Sequence, residues 1–229
     1  IESLLGQEDV GGSCEIILVN NRSADASASI VERYPGLTVL DEPTPGAYAA
    51  RNTGLRSASA SVIAFTDADC VVDRHWLRSI RDGMQDPKIA VLLGNCRYPA
   101  SASLALRWLG AYENSKTEYV VNHCAPDHLF AYANNMAVRA SVFTELGLFE
   151  EWPRAADSEL VHRLAARRPD LRVAYHRAMR VTHMEFVRAW HRTRRLSLYT
   201  RTNARIATFR ELGFAQRLGV LMHLLRGRR

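Results

Sequence analysis

Val62-Ile63-Ala64-Phe65-Thr66-Asp67-Ala68-Asp69 is the stretch on which the reading of this chain turns. A β-branched and aromatic run follows the small, polar Ser57-Ala58-Ser59-Ala60-Ser61 and ends in two carboxylates. That pattern predicts a buried strand of a parallel sheet. The carboxylates then stand at its C-terminal end, the edge where open α/β sheets bind ligands. Two carboxylates one residue apart repel each other unless a cation lies between them. Oxygen ligands suit Mg²⁺ or Mn²⁺, whose shell is commonly completed by phosphate oxygens. The competing reading is that Asp67 or Asp69 caps a helix predicted from Asp73.

Outward from this strand, the first half alternates strand and helix. Residues 1–7 read as the end of a helix stopped near Gly6, 14–19 as a strand, and 20–25 as a polar turn into a helix reaching Val31. A strand at 37–40, a Pro/Gly loop at 43–46 and a small-residue helix at 47–57 precede Val62. A helix at 73–80 and a strand at 89–93 follow. This order predicts a mostly parallel, doubly wound sheet. Later residues read as a helix at 104–119, short strands at 132–133 and 136–138, helices at 141–146 and 157–166, strands at 171–175 and 179–182, and C-terminal helices. Opening on a helix, the sequence also implies that a first strand precedes it.

The 229 residues, 47% hydrophobic and 24% charged, suffice for one α/β domain with a full core. No apolar run approaches the roughly 20 residues that span a bilayer, and no signal peptide is visible. Cys14, Cys70, Cys96 and Cys124 form no C-x-x-C pair, so a reduced, cytoplasmic chain is expected. The net charge of +6 is uneven: from Arg188 onward eleven arginines face a single acid, Glu211. Such a tail points to an anionic partner such as the inner face of the cell membrane, to which the chain would be peripheral; nucleic acid is not expected. Residues 216–226 are apolar between basic ends, which fits an interfacial helix as well as one packed on the body.

Several stretches taken together resemble glycosyltransferase family 2. They are residues 1–7, EIILVNNRSAD (15–25), GAYAARNTG (46–54), FTDAD (65–69), ANNMAVR (133–139), GLFEE (147–151), DSEL (157–160) and VTH (181–183). Their order along most of the chain is more specific than any one of them. The resemblance implies a GT-A fold as a single domain over 1–185. Residues 1–95 would be its nucleotide-binding half, 96–185 its acceptor side, and 186–229 a basic helical appendage. It further implies an inverting transfer from a nucleotide-diphosphate sugar, UDP-linked by preference, to a carbohydrate, lipid-linked or other hydroxyl acceptor.

The resemblance also distributes roles. Asp69 is the expected metal ligand, with Asp67 reaching the ion through water or holding the ribose, and His183 an added metal or diphosphate contact. Arg51 is expected on the base or phosphates. Asn20 and Asn21 stand where the family usually has an acidic residue that reads the nucleobase, which brings GDP- and dTDP-sugars into consideration. Asp157 is the expected general base and Glu159 its fallback, because Ala156 replaces the Glu of the family's Glu-Asp pair. Asp157 also reads as a helix N-cap, a position that lowers a carboxylate pKa. Asn134, Asn135 and Trp152 are expected beside the acceptor.

Two other classes compete. A nucleotidyltransferase making nucleotide sugars also uses a sheet-edge aspartate, but needs a Gly-rich phosphate loop after its first strand. A non-catalytic, membrane-associated sugar- or nucleotide-binding domain would explain Asn20, Asn21 and Ala156. A dinucleotide-binding dehydrogenase is disfavoured, since no G-x-G-x-x-G follows any strand.

Overall fold

The computed structural model describes residues 1–184 and 205–227. A short helix α1 (Glu2–Leu5) leads to β1 (Ile17–Asn20), α2 (Ser27–Val31) and β2 (Thr38–Asp41). β1 and β2 pair in parallel, with Asn20 opposite Asp41. The next helix, α3 (Ala47–Ser57), follows Gly46, whose φ of 144° favours glycine. α3 lies close on β1 at Gly54, where an added Cβ would stand 3.4 Å from a Val19 methyl.

The main sheet has five strands: β3 (Val62–Thr66), β4 (Cys70–Val72), β5 (Ile89–Arg97), β6 (Asn135–Arg139) and β7 (Arg172–His183). Their spatial order is β3-β6-β5-β7-β4. Only β5 and β7 run parallel; β3–β6, β5–β6 and β4–β7 are antiparallel. The expected mostly parallel sheet is therefore corrected to a mixed one. A buried apolar run looks the same in either direction, so its periodicity carries no strand polarity. The two predicted late strands are a single β7. An irregularity that sets Gly94 opposite His176 but Asn95 opposite Arg180 breaks its alternation, which hid their continuity.

Helices α4 (Trp76–Gly83), α5 (Leu104–His123), α6 (Ala140–Leu146), α7 (Ala156–Arg167) and α8 (Phe214–Arg226) complete the described fold. Alternation along β5 sorts the core. Val91 and Leu93 pack with Val120, Met136, Leu160 and Leu164, while Leu92 packs with Trp76, Ile80 and Met179. Helices thus cover both faces of the sheet, as expected.

α8 packs on α5 through buried Val220 and Leu224, with Gly219 tight against Tyr119. Its other side exposes Phe214, Leu218, Leu221, Met222 and Leu225. Nearly half of the expected basic appendage, residues 186–204 and 228–229, lies outside the described residues. Among the described residues no helix is long and apolar enough to cross a membrane, and all four cysteines are free thiols.

Candidate active site

The C-terminal ends of β3 and β7, the outer half of β5 and the N-terminal ends of β4 and β6 share one edge of the sheet. A cavity of about 290 Å³ opens there, and Arg51, Asp67, Asp69, Asn134, Asn135, Asp157 and His183 all line it. Residues spread over 133 positions of sequence thus converge. Asn20, Asn21, Trp152 and Glu159 do not line it.

β4–β7 pairing builds one end of the cavity. The register sets Cys70 opposite His183, and the Met184 amide donates to the Asp69 carbonyl at 2.8 Å. His183 Nε2 lies 3.6 Å from Asp69 Oδ2, and Cys70 Sγ belongs to the same cluster, all within 4.8 Å of one another. A carboxylate oxygen with an imidazole nitrogen suits Mn²⁺ slightly better than Mg²⁺. Cys70 is the softest member of that set, and a hard ion is better matched by Asp69 and His183. Burial, with Cys96, Asp67 and Asp69 adding to it, pushes its thiol far above the usual range. The thiol donates to Asp69 Oδ1 at 3.8 Å. Neither Asp67 nor Asp69 caps α4, which starts at Trp76 without a side-chain cap.

Asp67 is held from across the cavity. Arg51 Nη2 donates to Asp67 Oδ1 at 2.6 Å, and the guanidinium lies over the Tyr48 ring, 5.1 Å from its centroid. Tyr48 and Arg51 are three residues apart on α3 and so share a face. Burial alone would pull Arg51 down, but Asp67, Tyr48 and Asp157 offset it and the guanidinium stays charged.

Asp157 lines the cavity from α7 (Ala156–Arg167). α7 begins at Ala156 behind the left-handed Ala155, so Asp157 lies inside the first turn rather than at the N-cap. Its Oδ2 accepts from the Ala133 amide and its Oδ1 from the Ser158 amide, both at 2.9 Å. The side chain is buried, and burial raises its pKa against the lowering effect of those amides, Arg51 and Tyr48. The expected low pKa is corrected: desolvation outweighs the helix start. Ala156, where the family carries Glu, is packed in the core.

The other expected residues have different duties. Asn21 accepts from the Gly46 amide and donates to the Glu42 and Thr44 carbonyls, shaping the loop before α3. Asn20 donates to Asp41 across the β1–β2 pair at 2.8 Å. Asn135 spends its amide inside the fold, accepting from Trp76 Nε1 and donating to the Asn95 and Met179 carbonyls. Glu159 pairs with Arg163 at 2.9 Å, away from the cavity. Asn134 reaches Cys96 Sγ at 3.7 Å. The sequence reading missed Tyr48, Tyr98, Glu113, Tyr132 and Arg154 on the cavity wall. Only Tyr48 carried a signal, its i, i+3 spacing to Arg51.

The profile described as "Glycosyl transferase family 2" matches residues 1–147. The chain belongs to glycosyl transferase family 2. Among curated members it is 28% identical over 142 residues to glycosyltransferase AglE of Haloferax volcanii, covering 59% of this chain and 45% of that protein. To the putative glycosyltransferase EpsH of Bacillus subtilis it is 40% identical over 104 residues, covering 44% and 29%. The chain therefore spans less than half the length of these relatives. Among solved structures, it aligns over 97% of its length with 63% of a Pyrobaculum calidifontis mannosyltransferase in complex with GDP-Man and Mn²⁺, at TM-score 0.68 and 19% identity. With S. aureus TarS in complex with UDP-GlcNAc the values are 98%, 66%, 0.65 and 16%. At this identity the likeness shows the fold: this family 2 member has a GT-A fold.

Proposed function

We propose that the chain is an inverting, metal-dependent glycosyltransferase that uses a nucleotide-diphosphate sugar. The observation that carries this reading is the single cavity that paired Asp69 and His183 and buried Asp157 all line. Asp69 and His183 would hold the ion, and Asp67, already engaged by Arg51, would reach it through water or bind the ribose. A divalent cation there supplies charge stabilisation for the departing diphosphate. Arg51 places a fixed positive charge beside the same phosphates.

Asp157 takes the acceptor proton. As the acceptor oxygen bonds to the sugar C1, the C1–O bond to the diphosphate breaks and the hydroxyl proton passes to the carboxylate. Its two amide bonds fix its orientation while each oxygen keeps a lone pair for that proton. A pKa raised by burial makes it a stronger base than an exposed aspartate. Residues 1–95 serve the nucleotide and 96–185 the acceptor. UDP-sugars remain the favoured donor, and the neighbours' GDP-Man and UDP-GlcNAc keep GDP beside it in the test. The exposed apolar side of α8, flanked by Arg217 and Arg226, orients the enzyme on an anionic membrane surface.

The test is a thermal-shift panel of UDP, GDP, dTDP and CDP with Mn²⁺, Mg²⁺ or EDTA. A ligand at 100-fold its Kd adds about 2.7 kcal/mol. One nucleotide is expected to raise Tm only with metal. If none does so, the reading fails.

A further inference from the structure

A second cavity, of about 540 Å³, lies between α5, the outer end of β5, β7 near Tyr175 and α8. Cys96, Tyr98, Gly110 and Asn114 line both cavities and so form a wall common to the two. This wall is firmly built. Asn114 accepts from the Cys96 amide at 2.9 Å and donates to the Cys96 carbonyl at 2.7 Å. The Tyr98 ring lies against Gly110, where an added Cβ would come within 2.8 Å of it.

The charges on the second cavity do not cancel. Its carboxylate, Glu118, is taken up by Arg177 through Nε at 2.7 and 2.9 Å and by His223 at 3.2 Å. Arg97 and Arg107 face the same space, and no carboxylate among the described residues forms an ion pair with either. Isolated surface arginines are ordinary. Two that line one concave space are a different matter, because a guanidinium fork matches phosphate geometry.

We propose that this groove holds a phosphate group of the acceptor, bound by Arg97 and Arg107, beside the active-site cavity with which it shares Cys96, Tyr98, Gly110 and Asn114. The inference rests on the transferase reading and adds an acceptor class to it. Two uncompensated positive charges match a phosphomonoester dianion better than a carboxylate, and the volume leaves room for a sugar or polyol beside the phosphate. The phosphate can belong to a soluble phosphorylated molecule or to a lipid phosphate.

Calorimetric titration of the whole chain with glycerol 1-phosphate and with geranyl phosphate, in EDTA, tests this. Glucuronate is the control, and UDP and GDP are titrated separately with Mn²⁺. In the Arg97→Gln/Arg107→Gln protein both phosphates are expected to bind at least about tenfold weaker, with nucleotide affinity unchanged. Geranyl phosphate binding tighter than glycerol 1-phosphate supports a lipid source, and equal binding supports a soluble one. Wild-type affinity for both phosphates in the double variant overturns the proposal, as does glucuronate binding as well as phosphate. Arg107→Glu, at an exposed position, provides a second variant with the same expected loss. Arginine-dependent phosphate binding without any metal-dependent nucleotide binding would sink the transferase reading and leave the phosphate site standing.

Discussion

The two acidic walls of the active-site cavity are built on opposite principles. Asp67 and Asp69 keep 38% and 36% of their side chains exposed, at the junction of two strands. Asp157 is 4% exposed and anchored by two backbone amides. A carboxylate meant for a cation gains from staying hydrated until the ion arrives, because the ion then brings the compensating charge. One meant for a proton gains from burial, which lifts its affinity for that proton. On the proposed reading, the same residue type takes two roles from its surroundings alone.

The sharpest way to break this comparison is Asp157→Asn. Turnover is expected to fall about 10²–10⁴-fold while metal-dependent nucleotide affinity stays within twofold by calorimetry. Near-normal turnover would remove Asp157 from the base role. In the wild type, the acid limb of kcat/KM is expected to lie above the ordinary aspartate value of about 3.9. Stability follows with the opposite sense. Since the folded pKa is raised, the wild type is expected to lose stability relative to Asp157→Asn as pH climbs through that limb, measured by urea unfolding across pH.

Asp69→Ala should do the reverse. Mn²⁺-dependent nucleotide binding is expected to weaken by more than about tenfold, with no further loss in EDTA. Residual binding that EDTA still abolishes would move the metal elsewhere.

Arg51→Met reads the contact between the walls. It is expected to cost about 1–3 kcal/mol in denaturant unfolding, because Asp67 is only partly exposed and loses its partner. The smallest effect belongs to Glu159→Gln. Turnover within twofold of wild type is expected, since its carboxylate serves Arg163; a loss as large as that of Asp157→Asn would reverse the assignment of the buried wall.

How much of this could be read in the sequence depended on distance along the chain. The helix at 47–57 and the strand ending before Asp67 were legible to the residue, because local composition and periodicity fix them. β6 running antiparallel between β3 and β5 was not, since direction is decided by pairing. The three-residue β4 is too short to show a period. Asp157 could be singled out, but its pKa could not. The partners that bury it, Ala133 and Tyr48, lie 24 and 109 residues away. Asn21 and Asn135 looked like ligand contacts because a buried amide that braces a loop and one that binds a hydroxyl are the same residue in sequence.

Among the described residues, β4 is an edge strand whose only strand partner in the main sheet is β7. β7 is last in sequence among the described strands yet sits next to the edge, between β5 and β4. During synthesis, Asp69 therefore waits for residues more than a hundred positions downstream before its strand has anything to pair with. Until β7 docks, one side of β5 also remains an open edge, available to other chains. Such long-range pairing slows folding. The β4–β7 end of the cavity is thus the last part of it to form, and a nascent chain halted before Arg172 carries Asp157 and Asp69 without the strand that brings His183 to meet them.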